Sequence, residues 1–263
     1  MREQKTVLIT NDDSIDSPFL ELAINSLAEF CEILIAVPAT EHSWKGKSMT
    51  RHGSLKIADT KVGNFDAWTI EGTPADCVNL AIHNLAPRKP DLVISGINIG
   101  KNIGLGFCLA SGTVGACLEA NIADIPAIAL SQELVPSDFL FWDKHRRFPE
   151  KTEHFVKKTI PTNCALVWDQ FGRMESRRPI TWNINFPYKE ITDATIAYTK
   201  LSRTFYGQCF NEDGNNSYKF GLTKANVDNK TGTDVAALEA GNISATLIDM
   251  TTIGQVLPSA VSN

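Results

Sequence analysis

Asn11-Asp12-Asp13 closes a short apolar, β-branched run, Val7-Leu8-Ile9-Thr10. Two adjacent carboxylates at a strand end repel each other and raise each other's pKa unless a cation sits beside them. With the oxygens of Thr10 close by, they make a hard-oxygen environment suited to Mg²⁺ or Mn²⁺ rather than zinc. The same three residues also suit an ordinary Asx-capped turn, so the pair needs company to count as a site. Ser43, in the polar loop that follows Pro38, is one companion. Asn98 is another: in Ser95-Gly96-Ile97-Asn98-Ile99-Gly100 the flanking glycines let the backbone turn and present the amide. Ser111-Gly112-Thr113 opens a helix with small residues, so its first N–H groups and the positive end of the helix dipole form a phosphate cradle, with a plain Ser111 N-cap as the competing reading. Ser48 is a weaker candidate for substrate contact, a loop hydroxyl near the same point.

Several other chemistries fail on spacing. Gly96, Gly100, Gly104 and Gly106 do not make the G-x-G-x-x-G dinucleotide fingerprint, and no Walker-type glycine loop precedes Lys101. The five histidines show no H-E-x-x-H arrangement, and His42 alone lies beside the acidic pair's partners. An aspartyl-phosphate enzyme would place its two aspartates one residue apart, whereas here they are adjacent.

The elements that must carry these residues alternate. Val7–Thr10 reads as a strand. Ser17-Pro18 caps an amphipathic helix with Phe19, Leu22, Ala23, Leu27 and Phe30 on one face. Ile33–Val37 reads as a second strand, with β-like stretches around Leu55–Ile57 and Ala67–Ile70. Thr73-Pro74 starts a helix, Asp91–Ser95 is a strand, and Gly96–Gly106 is a glycine-punctuated loop. Gly112–Asn121 is a helix and Pro126–Leu130 a strand. Buried strands alternating with helices predict an α/β fold with a mostly parallel sheet covered on both faces. Ligands bind beyond the carboxyl ends of such strands, where Asp12, Asp13, Ser43 and Asn98 all fall. After about Val135 the rhythm is less regular, and the polar stretch Phe210–Asp228 predicts β-hairpins in a C-terminal extension. The expected organisation is a core over 1–135, with 136–263 as an extension and oligomerisation region that completes the same domain.

A chain of 263 residues, 43% hydrophobic and 21% charged, has the composition of a globular protein. Its net charge of −5 argues against a grip on long nucleic acid, which needs clustered cations. The apolar run after Lys5 is too short for a signal or membrane segment, so a cytoplasmic protein is expected. Six scattered cysteines without a Cys-x-x-Cys pair read as reduced, mostly buried thiols.

In this order and spacing the motifs resemble those of the survival protein E (SurE) family. The family's Asn-Asp-Asp-Gly appears as Asn11-Asp12-Asp13-Ser14, and its loop serine falls on Ser43. Gly72-Thr73-Pro74-Ala75-Asp76-Cys77-Val78 and the run from Ser95 through Asn98 and Asn102 to Gly104 are intact. Ser111–Ala116 with Glu119, and Gly232-Thr233-Asp234-Val235-Ala236-Ala237, complete the set. The resemblance implies a Rossmann-like core and one divalent metal held by Asp12, Asp13, Ser43 and Asn98, with Asp12, Asp13 and Asn98 at the centre of catalysis. It also implies substrate contacts from Asn102, Ser111, Gly112 and Thr113, and a homodimer or homotetramer. The expected activity is hydrolysis of nucleoside 5′-monophosphates, with 3′-monophosphates or short polyphosphate as further substrates; the alternative is a regulatory module that binds nucleotide and metal without hydrolysis. Four departures stand out. Ser14 replaces a glycine, His42 an arginine and Ala110 a tyrosine, and Trp44-Lys45-Gly46-Lys47 replaces a small polar run. The metal set is kept while the substrate wall is changed.

Overall fold

The computed structural model describes residues 4–173, 178–189, 195–222 and 225–253. The chain begins with strand β1 (Thr6–Thr10), helix α1 (Pro18–Leu27), β2 (Glu32–Pro38), and a hairpin of β3 (Ile57–Val62) and β4 (Phe65–Ile70). Helix α2 (Pro74–Leu80) continues as a wider turn to Leu85 and leads to β5 (Leu92–Ile99), α3 (Leu105–Ala110), α4 (Gly112–Ile122) and β6 (Ala127–Gln132). Then come α5 (Pro136–His145), α6 (Glu150–Val167), β7 (Ile180–Phe186), β8 (Ile196–Thr199), β9 (Phe205–Tyr206), β10 (Phe210–Glu212), β11 (Tyr218–Phe220) and β12 (Ala225–Asn226). Helix α7 (Asp234–Glu239) and β13 (Ile243–Asp249) complete the fold.

One nine-stranded sheet runs β3-β4-β2-β1-β5-β6-β7-β13-β8, parallel through β4-β2-β1-β5-β6-β7, while β3 and β13 run antiparallel to their neighbours β4 and β7. Its central strands β1, β5 and β6 are buried on both faces because alternate residues feed two cores. Val7 and Ile9 pack with Phe19 and Ile24 of α1 and with Val156 and Ile160 of α6. Leu8 points the other way, onto Cys77 and Val78 of α2 and Val114 and Cys117 of α4. The expected α/β fold, a mostly parallel sheet with helices on both faces and β-hairpins in the C-terminal part, is the one the chain adopts. Strands β7 and β13 belong to that same main sheet, and α6 packs against α1.

Two local features differ from the sequence expectation. The strand around Leu55–Ile57 starts only at Ile57 and runs to Val62, so Leu55 packs as part of the loop before it. The strand expected to stop at Ser95 continues to Ile99. Gly96, read as loop punctuation, sits inside it at φ +133°, where a Cβ would lie 2.4 Å from the Leu130 carbonyl oxygen. The pairing with β6 shifts register between Ser95 and Asn98, a bulge that re-aims the strand end.

Ser14 is held at φ +74°, the left-handed region that a glycine occupies without steric cost. Its carbonyl accepts from Asn11 Nδ2 at 2.8 Å, a bond that does not need the serine side chain. Ser14→Gly would relieve that strain but remove the Ser14 Oγ that accepts from the Asp16 amide at 3.3 Å, so a net gain of no more than about 0.5 kcal/mol is expected, read as a slightly higher urea midpoint at unchanged slope.

Candidate active site

The chain runs from β1 outward to β2 on one side and, later, from β5 outward to β6 on the other, so the strand order reverses between β1 and β5. In such sheets the crevice beyond the strand ends opens at that reversal. Asp12 and Asp13 follow β1 and Asn98 lies in the last turn of β5, which puts all three at this crevice. Here a cleft of about 690 Å³ is lined by Asp12, Ser43, Asn98, Asn102 and Ser111, within the usual size range of small-molecule sites.

The two carboxylates are nearly buried, with Asp12 4% and Asp13 7% exposed. Thr113 Oγ1 donates to Asp12 Oδ1 at 2.7 Å, and the Ile99 amide donates to Asp13 Oδ2 at 2.9 Å. Helix α4 starts directly over Asp12: a Cβ on Gly112 would stand 2.8 Å from Asp12 Cβ and 2.9 Å from its Oδ2. The positive end of an eleven-residue helix is thus turned toward a carboxylate. Ser111 caps that helix in the ordinary way, its Oγ accepting from the Val114 amide at 3.2 Å. Thr113 is fully buried, with hydroxyl and amide both directed to Asp12.

The loop after β2 brings Ser43 to the site because its backbone is tied down at several points. The His42 amide donates to the Asp12 carbonyl at 2.8 Å, and the Gly46 amide to the Ala110 carbonyl at 2.9 Å. Further along, the Thr50 amide and hydroxyl both donate to Asp76, the capping-box residue of α2. Lys47 reaches Glu119 at 2.6 Å, and Glu119 also accepts from Asn79 at 2.8 Å. Ser43 Oγ donates to Glu41 Oε1 at 2.7 Å, and Glu41 pairs with Arg146 at 2.8 Å. Ser48 is exposed and does not line the cleft; its carbonyl accepts from Thr73 Oγ1 at 2.7 Å.

Asn102 is held from below. Its side-chain amide donates to Ser131 Oγ at 3.0 Å and Thr113 Oγ1 at 3.3 Å. Its backbone amide donates to Asn185 Oδ1, and its carbonyl accepts from Asn183, both at 2.8 Å. Asp234, in the C-terminal Gly-Thr-Asp run, is fully buried and accepts from the Gly104 amide at 2.7 Å and the Ser202 amide at 2.8 Å. That residue fixes the end of the glycine loop and has a structural role.

The sequence reading missed the apolar walls. Trp44, Phe107, Phe139, Leu140 and Phe220 also line the cleft. Only Trp44 carried a signal, as a bulky residue where the resembling family has a small one; the others come from α3, α5 and β11, far apart in sequence.

Burial pushes the Asp12 carboxyl up to about 6, against the lowering pull of Thr113. Burial, and then the Asp12 charge beside it, hold Asp13 well above the usual carboxylate range. Among the described residues neither carboxylate has a basic side chain in ion-pair contact. His42 supplies no fixed charge, since burial and then the nearby Lys45 hold its imidazole toward the neutral form. No three His, Cys, Asp or Glu side chains gather at one point among the described residues. The oxygen donors on hand are therefore two carboxylates and the neutral oxygens of Ser43 and Asn98. Such a set fits a hard divalent cation that keeps several waters, and it does not fit a thiolate or imidazole metal site.

Fold and site together define an open, doubly wound α/β domain with an oxygen-donor site at its topological switch point. Residues 7–208 match the family model described as survival protein SurE. A protein of Methanosarcina acetivorans named 5′-nucleotidase SurE is 33% identical over 95% of this chain and 94% of its own length. A Geobacter protein of the same name is 34% identical over 90% of each chain. The crystal structure of the SurE protein from Aquifex aeolicus superposes with a TM-score of 0.67 at 26% identity, covering 93% of both chains. The chain belongs to the SurE family.

The raised carboxyl pKa values set a pH dependence. A carboxyl whose folded pKa lies above its unfolded value stabilises the fold at low pH, and that contribution is lost as pH rises through the folded pKa. Chelated protein should thus lose stability between pH 5 and pH 8, by on the order of 2 kcal/mol. Added Mg²⁺ should restore more at pH 8 than at pH 5, because cation and protons compete for the same oxygens. Melting curves at the two pH values, with and without cation, test this; Asp13→Asn, which removes one of the two buried charges, should flatten the chelated profile.

Proposed function

We propose that this protein is a divalent-metal-dependent phosphomonoesterase that hydrolyses nucleoside 5′-monophosphates to nucleoside and phosphate, with 3′-monophosphates and short polyphosphate as further substrates. The observation that carries this reading is the pair of adjacent buried carboxylates, of which Asp12 lines a nucleotide-sized cleft beside the N-terminus of α4 and Asp13 lies directly behind it in the chain. The relatives' printed activity supports the same substrate class.

Asp12, Asp13, Ser43 and Asn98 are the residues that would hold the cation, with Mg²⁺ or Mn²⁺ best suited to their oxygens. When bound, the cation polarises phosphate oxygens and lowers the pKa of a coordinated water. The chain's own part is orientation. The Thr113 hydroxyl fixes one oxygen of Asp12, and the Ile99 amide fixes one of Asp13, so neither carboxylate has to reorganise when substrate enters. Ser43 donates its hydroxyl hydrogen to Glu41, which leaves the oxygen lone pairs that would face the cation, and the Glu41–Arg146 pair holds Glu41 as that acceptor. Asn98 presents an amide to the cleft. Ser111 and Gly112 stand at the start of α4, where a helix favours negative charge on the phosphate oxygens. The Asn102 amide, held by Ser131, keeps the Thr113 hydroxyl directed at Asp12.

The reading extends to assembly and location. Phe210, Tyr218 and Phe220 on the β10–β11 hairpin are exposed, which supports a homodimer or homotetramer formed through the C-terminal region. Five of the six free cysteines are buried, and burial pushes thiols such as Cys31 up to about 12, a pattern that supports a reducing, cytoplasmic setting. No helix among the described residues is long and apolar enough to cross a membrane.

Phosphate release from a panel of nucleoside monophosphates, after chelation and again with added Mg²⁺, Mn²⁺ or Ca²⁺, is expected to require the cation and to rank the nucleotides. Nucleotide binding without release would favour the regulatory module instead. Asp13→Asn should keep the fold, weaken cation binding and lower turnover at least about a hundredfold; near-normal turnover would refute the assignment.

A further inference from the structure

Trp44 is the next residue after Ser43, and its backbone sits at φ +63°, which is uncommon for any non-glycine residue and strained for a bulky one. Strain of this kind persists where surrounding structure holds it, and it clusters at ligand clamps. What holds it here is aromatic. The Trp44 ring meets Tyr206 at 5.0 Å, Phe220 at 5.0 Å and Phe107 at 5.7 Å between centroids, all edge-to-face. Those three rings come from β9, β11 and α3, so an indole in a loop is fixed by three separate elements. It remains 38% exposed all the same, and Trp44, Phe107 and Phe220 line the same cleft as Asp12 and Asn98. Phe139, 38% exposed on α5, also lines it.

We propose that Trp44, seated against Phe107 and Phe220, is a stacking platform for the nucleobase and sets the protein's preference for base-bearing phosphomonoesters. This rests on the nucleotidase reading above. The cleft's lining combines a polar group, Asp12, Asn98 and Ser111, with an aromatic one, Trp44, Phe107 and Phe220. A nucleotide carries the matching pair of groups, a charged phosphate and a flat aromatic ring. Stacking tolerates every base, because each has a π-face, and it favours the larger purine ring. The platform therefore separates nucleotides from sugar phosphates strongly, and purines from pyrimidines mildly.

The test compares full-length wild type, Trp44→Ala and Trp44→Phe on three substrates: adenosine 5′-monophosphate, cytidine 5′-monophosphate and ribose 5-phosphate. The ratio of kcat/KM for the adenine nucleotide to that for ribose 5-phosphate is expected to fall roughly tenfold or more in Trp44→Ala, chiefly through KM, and to recover largely in Trp44→Phe. Wild type is expected to rank the adenine nucleotide above the cytidine one. Adenosine alone, which carries no phosphate, should quench tryptophan fluorescence in wild type and do so much less in Trp44→Phe. Equal losses on nucleotide and sugar phosphate, or adenosine quenching that persists in Trp44→Phe, would overturn the platform. Wild type that releases phosphate from none of the three would instead overturn the nucleotidase reading, and the adenosine titration would still decide the platform on its own. Because Trp44→Phe keeps an aromatic ring, it covers the case in which Trp44→Ala fails to fold.

Discussion

Two carboxylates from consecutive residues, each more than nine-tenths buried, stand where β1 ends. Removing a charge from water is costly, and two like charges side by side make it costlier. The surrounding structure is arranged around that fact. The start of α4 points its dipole at Asp12, the Thr113 hydroxyl and the Ile99 amide each satisfy one carboxylate oxygen, and the His42 amide holds the Asp12 backbone. These contacts orient the pair without supplying a counter-charge, and burial pushes both carboxyls toward the protonated form. A divalent cation would compete with those protons and draw out the carboxylate charge, and without it the site would offer a phosphate no counter-charge.

Holding that geometry requires segments that are distant along the chain. The loop after β2 is pinned to the end of α3 through Gly46 and Ala110 and to α2 through Thr50 and Asp76, so Ser43 sits on a fixed support rather than on a free loop. Gly115 is part of this support: a side chain there would meet the Gly46 carbonyl oxygen at 2.4 Å. From the C-terminal half, Asn183 and Asn185 hold Asn102, and Asp234 holds Gly104. Several motifs that identify the family are thus scaffold. Asp76 and Asp234 bind backbone and touch no part of the cleft, and each is a buried acceptor whose loss would leave amide donors unsatisfied.

Of the departures from the family pattern, Trp44 and Ala110 line the cleft, and the others have physical consequences of different kinds. Lys47 is engaged with Glu119 at 2.6 Å and does not line the cleft, so its charge ties the loop to α4. His42 lacks the fixed charge of an arginine. Ala110 lines the cleft without a hydroxyl, and Trp44 fills part of the wall with an indole. The polar floor is unchanged while the wall has gained the Trp44 indole and lost an aromatic ring at Ala110.

Much of this was legible in the sequence. The alternation of buried strands and capped helices, the acidic pair after a strand and the helix opened by Ser111 all follow from neighbours in the chain, because periodicity, capping and strand termination are local effects. The glycine run after Ser95 was legible as chemistry but not as conformation: Gly96 lies within a bulged strand because β6 approaches too closely for a side chain, and that approach is set by residues near Leu130. The apolar walls were not legible at all. Residues 44, 107, 139 and 220 have no relation in spacing, and only the packing of the loop after β2, α3, α5 and the β10–β11 hairpin around one crevice brings them together. The sequence by itself determined the sheet, the acid pair and the oxygen donors that attend it, since those rest on short-range rules. The tertiary structure alone decided the shape and lining of the cleft, since long-range packing chooses which distant side chains share a surface.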